Sequence, residues 1–302
     1  MTSKAQGLGP PVWLAVRVVL TVALFAALWQ TVDGAEILAT LAAASPVWVG
    51  AAIGCLLLQT ALSAQRWRLT AAALGQTFGA SYALREYFLS QAVNQAVPGA
   101  VIGDAARAVR ARGQMGLLIA GQAVFFERLA GQIAMFAVFL VAFLATDAVA
   151  GGVDWPPALR GTVHVCLITA AAALLALLVA QRASAAAWLE PLRRALLTRQ
   201  VLPQQISLGG AIVLCNLAAF ACAARAVWVN LSVIETLALV PVVLFAMLIP
   251  FTVSGWGVRE GAAAVILPLA GVAAADAVAA SIFFGVAILC SVLPGAFVAL
   301  KS

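Results

Sequence analysis

Two stretches of this apolar chain carry charge and backbone breaks where a membrane span would carry neither. One is Asn94 to Arg112, NQAVPGAVIGDAARAVRAR; the other is Pro250 to Gly261, PFTVSGWGVREG. Each follows an apolar-leaning run too short for a full crossing, contains Pro or Gly, and then places an acid near an arginine. Irregular backbone and ionisable groups persist at bilayer depth only where they are buried in protein or line a wet cavity. A pair of interrupted segments, one in each half, is the sequence mark of a carrier's binding site, and the arginines point to an anionic ligand.

The remaining composition fixes the class. Of 302 residues, 65% are hydrophobic and 9% charged, which describes an all-α integral membrane protein rather than a soluble domain. Apolar runs at 12–31, 46–65, 114–145, 161–181, 206–229 and 277–299 are expected to be six full transmembrane helices. The two interrupted segments, 82–112 and 236–270, are expected to be re-entrant helical hairpins. The first run lacks a small-residue cleavage site and is read as a retained span. Trp13, Trp29, Trp48, Trp67 and Trp228 flank spans, and Trp155 and Trp188 lie in connecting segments, as an interfacial belt requires.

The net charge of +6 follows topology and does not imply nucleic-acid binding. Lys4, Arg66, Arg68, Arg85, Arg110, Arg112, Arg182, Arg193, Arg194, Arg199 and Lys301 fall on one set of connections. Asp33, Glu36, Asp147, Asp154, Glu235 and Asp276 fall on the other, with Arg160 as its one clear base. Both termini are therefore expected in the cytoplasm. The hairpins must then enter from opposite sides, which makes residues 1–146 and 147–302 two halves of inverted topology. The segment 182–205 separates Trp188, Leu189, Leu192, Leu196 and Leu197 from Arg193, Arg194 and Arg199. It reads as one helix lying on the cytoplasmic surface.

Asp104 is expected to cap the half-helix after Pro98-Gly99, with Arg107 one turn on and Asn94 adding hydrogen bonds. In the second segment Ser254, Gly255 and Gly257 allow a tight turn, Trp256 sits at the tip, and Arg259 and Glu260 open the next helix. Half-helix N-termini aimed at the membrane interior would favour an anion. Glu127 lies about 20 Å along the third expected span, at a rise of 1.5 Å per residue. It is expected to pair with Arg107 or Arg259 while Arg128 faces the cavity. The candidate binding residues are thus Asn94, Asp104, Arg107, Glu127, Arg128, Ser254, Trp256, Arg259 and Glu260. The five cysteines and the single histidine match no metal or disulfide framework. Neither lysine follows a glycine-rich loop, so ATP hydrolysis is not expected. No catalytic constellation is visible; the chain reads as a non-enzyme without a cofactor.

The pattern Asn94, Pro98-Gly99, Gly103-Asp104, Arg107, then Phe126-Glu127-Arg128-Leu129, then Pro250 and Gly255-Trp256-Gly257-Val258-Arg259-Glu260-Gly261 resembles a known family. It is the lysylphosphatidylglycerol synthase transmembrane (flippase-like) family. That family includes the flippase domain of bacterial multiple peptide resistance factors and stand-alone relatives encoded near hopanoid, glycolipid and polyprenyl-glycan genes. The resemblance implies a lipid translocation domain with two re-entrant hairpins in a bacterial inner membrane. It further implies a lipid with an anionic or zwitterionic, phosphate-containing headgroup as the ligand. The synthases' aminoacyl-transferase domain has no counterpart here, so the chain itself is not expected to make lysyl-lipid. Relatives often carry Asp after the Glu-Arg-Leu motif, whereas this chain continues Ala130-Gly131-Gln132, so lysyl specificity is not carried over. The competing readings are a membrane-embedded transferase acting on polyprenyl phosphate or glycolipid, and a non-transporting partner that presents lipid to a synthase. Partners left open are a second copy of the chain and a lipid-synthesis or glycosyltransferase enzyme.

Overall fold

The computed structural model describes residues 34–96, 101–113, 115–148, 153–180, 189–248, 252 and 254–300, together with Val19 and Val22. The expected first span at 12–31 apart from Val19 and Val22, the breaks at Pro98-Gly99 and Pro250, and Trp13, Trp29 and Trp188 lie outside these residues.

Among the described residues the regular structure is helical. In order come α1 (Gly34–Ala42), α2 (Pro46–Ala73), α3 (Ala80–Ala96), α4 (Ile102–Ala111), α5 (Gly116–Ala148) and α6 (Pro157–Ala180). They are followed by α7 (Glu190–Leu196), α8 (Leu202–Ala226), α9 (Val233–Phe245), α10 (Val258–Ile266), α11 (Ala274–Ser291) and α12 (Leu293–Leu300). Among the described residues four segments are long and apolar enough to cross a membrane: Pro46–Ala73, Gly116–Ala148, Leu202–Ala226 and Ala274–Val298. The chain is a multi-pass, all-α membrane protein. A further helix of 24 residues, α6, covers residues 161–180 of the expected run at 161–181.

Helices within lipid gain little from hydrophobicity and associate through close packing of small residues. The buried positions obey this. Ala52, Ala219, Ala223, Ala277 and Ala287 are at most 1% exposed. At Gly209 an added Cβ would meet the Ala134 methyl at 3.2 Å. The most extensive helix pairing is α2 against α8, flanked by α5 and α11. These two helices end alike. After α2, Gly75 at φ +89° lets Gln76 N–H reach Ala71 O at 2.9 Å. After α8, Trp228 at φ 65° lets Val229 N–H reach Ala224 O at 3.0 Å.

Contacts at the helix ends define two poles. Ser45 N–H donates to Ala226 O, so the start of α2 lies beside the end of α8. Asp276, at the start of α11, meets Thr40 of α1 at 3.4 Å, and the alternating helices bring Asp147, Asp154, Arg160 and Glu235 to element ends on the same side. Gln205 donates to Thr70 and to Ala195 O, which joins the opposite end of α2 to α7 and the start of α8. Arg68, Arg110, Arg112, Arg193 and Arg194 lie at this second, basic pole.

Several boundaries differ from the sequence reading. The expected span 46–65 continues to Ala73, because Arg66 is 3% exposed and ion-paired inside the protein rather than placed in a connection. Trp67 and Trp155 are 0% and 3% exposed, so they are core residues and not an interfacial belt. The expected single helix at 182–205 is interrupted: α7 ends at Leu196, and α8 restarts at Leu202 with Pro203 in its first turn, where proline is well tolerated. Leu196 is buried in a cluster with Phe126 and Ala195, against which Leu74 packs, while Leu197 is exposed. The expected last span lies within the crossing segment Ala274–Val298, with an interruption at Val292 between α11 and α12; α12 packs against α3, where Gly295 lies on the Phe88 carbonyl.

Candidate functional site

The first interrupted segment forms α3 and α4, which pack against each other, with α4 also against α5 and α3 against α2 and α12. Their crossing is tight. Gly103 sits so close to the Ser90 carbonyl that any Cβ would collide with it. Gly103 N–H donates to Asn94 Oδ1 at 2.7 Å, so Asn94 on α3 caps the N-terminus of α4 from outside. This corrects the expected role of Asp104: the residue at the cap position is Val101, and Asp104 lies inside the first turn of α4. With a backbone donor already taken by Asn94, that helix end is not an open anion cradle.

Asp104 instead gathers four side chains. It accepts from Ser90 at 3.0 Å and Asn94 at 3.3 Å, and pairs with Arg107 at 3.1 Å and Arg128 at 2.6 Å. Arg107 also reaches Glu127 at 3.3 Å. Glu127, 0% exposed, in turn pairs with Arg66 at 2.8 Å and accepts from Tyr87 at 3.2 Å. The result is a continuous alternation, Arg66–Glu127–Arg107–Asp104–Arg128, spanning α2, α5 and α4. Three guanidinium groups face two carboxylates, which leaves one positive charge uncompensated within the chain of pairs.

The expected pairing of Glu127 with Arg107 is present; Glu127 does not pair with Arg259. Arg107 itself is sealed inside the protein. It is 0% exposed, and its guanidinium carbon lies 4.6 Å from the Trp67 ring centre and 4.3 Å from that of Tyr87. Its Nε and Nη1 have no hydrogen-bond partner and are shut in with these rings.

The second interrupted segment has Ser254, Gly255 and Gly257 at φ 50°, 78° and 85°, the left-handed turn expected before α10. Gly257 N–H donates to Glu260 Oε2 at 2.6 Å, so the carboxylate reaches back over the helix start. Arg259 is ion-paired with Glu260, donates from Nε to Ser281 at 3.0 Å, and lies 4.8 Å from the Trp256 ring and 5.6 Å from that of Phe284. Arg259 and Glu260 are 1% and 0% exposed. They form a neutral, closed pair. Trp256 covers this arginine at the turn.

Between the two segments lies a cavity of about 300 Å³. Its charged lining comes from Arg66, Glu127 and Arg128, and its neutral polar lining includes Gln59, Gln91, Asn94, Gln132 and Asn216. Ser254 also reaches it, and its hydroxyl lies 3.2 Å from the carbonyls of both Asn94 and Gln95, which ties the second turn to the end of α3. Arg107 and Arg259, expected to hold the ligand, are absent from the lining; Arg66 and Arg128 take that place. Arg128 is 43% exposed along its side chain. Arg66 is buried, with Nε and Nη1 unpartnered. An added Cβ at Gly131 would lie 2.8 Å from Arg66 Nη2, so glycine there makes room for the guanidinium.

Arg66 was missed because it follows an apolar run and reads as a topology charge. The signal was available: Gln59, Ser63, Arg66 and Thr70 recur at helical spacing and share one face of α2.

The family model for the lysylphosphatidylglycerol synthase transmembrane region matches residues 12–295. The chain belongs to this family. Neither a curated protein nor a solved structure matched it. Membership makes this a membrane protein related to lipid handling, and it assigns the cavity no particular lipid.

Proposed function

We propose that the protein is a flippase-like lipid carrier whose cavity receives the phosphate of an anionic or zwitterionic lipid. The observation that carries this reading is the charge chain with three guanidinium groups and two carboxylates bordering a polar cavity. An unmatched charge at bilayer depth is costly, and a phosphate oxygen accepting from Arg66 and Arg128 offsets that cost. Arginine's planar fork suits such an anion. The α3–α4 and α9–α10 segments act as re-entrant hairpins in two inverted halves, each following two spans and preceding a third. The protein lies in the bacterial inner membrane with both termini in the cytoplasm. Neither lysine follows a glycine-rich phosphate loop, which favours movement that is downhill, exchange-driven or ion-coupled.

Reconstitution tests this. In phosphatidylglycerol-containing proteoliposomes, fluorescent phosphatidylglycerol should cross the bilayer with wild-type protein, and the rate should fall about tenfold or more in Arg128→Ala, the loss expected for one charge-assisted hydrogen bond. Equal rates in both and in protein-free vesicles would refute the carrier reading. Headgroup turnover without movement would favour a transferase, and binding without either would favour a lipid-presenting partner.

A further inference from the structure

The cavity holds about 300 Å³, enough for a headgroup and far short of a diacyl lipid. A second space adjoins it. An apolar groove of about 540 Å³ runs between α5, α6 and α9 and shares Gln132, Phe245 and Leu248 with the polar cavity. Beyond those three residues its walls are Ile133, Phe136, Phe139, Leu159, Cys166 and Val242, among others. Ile133 is 56% exposed, Leu248 is 56% exposed and Cys166 is exposed, so the groove faces outward to the bilayer.

The groove also has a direction. From Gln132 to Phe139 it follows α5 for about 10 Å toward that helix's C-terminal end, at 1.5 Å per residue. On α6 it spans Cys166 back to Leu159, toward that helix's N-terminal end. Both lead away from the basic pole and toward the acidic one, where Asp147 pairs with Arg160 at 2.6 Å. The charged end of the cavity lies the other way. Arg66 falls in the second half of α2, which ends at the basic pole, and Arg128 falls in the first half of α5, which starts there.

We infer that this groove is an acyl-chain site: one hydrocarbon chain of the lipid whose phosphate occupies the cavity lies along α5 and α6, with its methyl end toward the acidic pole. The inference rests on the carrier reading and adds to it a chain-binding site and a leaflet. A phosphate near the basic pole with its chain directed to the far side is the posture of a lipid drawn from the leaflet on the basic side. A lipid drawn from the other leaflet would lie reversed. The shared wall at Gln132, Phe245 and Leu248 is where glycerol would pass from the polar to the apolar space.

The test uses full-length protein in phosphatidylglycerol vesicles carrying a trace of phosphatidylglycerol with a diazirine at one chain carbon, with adducts located by mass spectrometry. A diazirine near the glycerol should mark the Ile133 and Cys166 end, and one near the methyl end should mark Phe139 and Leu159. Cys166→Trp, at an exposed position, should remove both adducts and leave labelling of the cavity by a headgroup-linked diazirine intact. Chain adducts spread evenly over bilayer-facing residues such as Leu118 and Val141, with headgroup adducts still in the cavity, would overturn the groove and spare the carrier reading. A reversed order of chain carbons would overturn the leaflet assignment. Headgroup adducts absent from the cavity would remove the carrier reading and the groove with it.

Discussion

At the first interrupted segment Arg107 is held between Trp67 and Tyr87, and its charge is passed on through Glu127 and Asp104 to Arg66 and Arg128. At the second, Arg259 is held between Trp256 and Phe284, and its acidic partner is Glu260, one residue on. Each has a serine on a neighbouring helix bonded to the acid: Ser90 to Asp104, Ser281 to Glu260. The parts are alike, but the electrostatics differ. A closed pair of opposite charges in low dielectric needs no further counter-ion. A chain of five charges with an odd count does, and its terminal arginines border the cavity. Burial and pairing alone thus do not bring an arginine to the cavity: Arg107 and Arg259 are sealed, whereas Arg66 and Arg128 line it. What matters is whether its charge is cancelled locally or carried to a wall.

The comparison is most easily broken at Glu127. Glu127→Gln strands Arg66 and Arg107 without their shared carboxylate, and a loss of about 3–5 kcal/mol is expected, read as a fall in melting temperature in detergent. A variant as stable as wild type would mean that the alternation does not hold the fold. At the closed pair, Arg259→Met and Glu260→Gln should each cost about 3–5 kcal/mol, whereas the double variant should recover most of that loss and retain lipid movement. A double variant that is stable yet inactive would move the binding site to the second segment.

Smaller effects sharpen the contrast. Gly285 lies against Arg259 and Trp256, so Gly285→Ala should cost about 1–3 kcal/mol through overpacking of a sealed group. Gly131→Ala meets Arg66, whose guanidinium borders the cavity and can yield into it, so its stability cost should be lower and its effect on lipid movement larger. Equal melting temperatures for the two alanine variants would contradict this. Ser254→Ala removes the link to the Asn94 and Gln95 carbonyls and should cost about 1 kcal/mol, the smallest change of the set.

Much of this was readable from residue order. The helical class, the two interrupted segments, and the pairing of Glu127 with an arginine of a broken segment followed from apolar run length and from the cost of charge in lipid. Arg128 was expected at the cavity and is there. What stayed hidden was which arginines would be walled off. Hydropathy ranks a residue by its cost in lipid and says nothing of the aromatic rings that other helices bring to it. Trp67 thus read as an interfacial anchor and turned out to cover Arg107. Asp104 read as a cap, a local role, yet Asn94 on α3 takes that role through a contact across two helices. Arg66 read as a topology charge because the run before it ended there, although the polar spacing Gln59, Ser63, Arg66 already marked an inward face.

Whether lipid phosphate sits in the polar cavity bordered by Arg66 and Arg128 can be read from a high-resolution density map of the protein in phosphatidylglycerol nanodiscs. Phosphate density within hydrogen-bonding distance of Arg66 Nη1 and of the Arg128 guanidinium is the predicted result. Hydrocarbon filling that cavity, or phosphate lodged against Arg259, would contradict it.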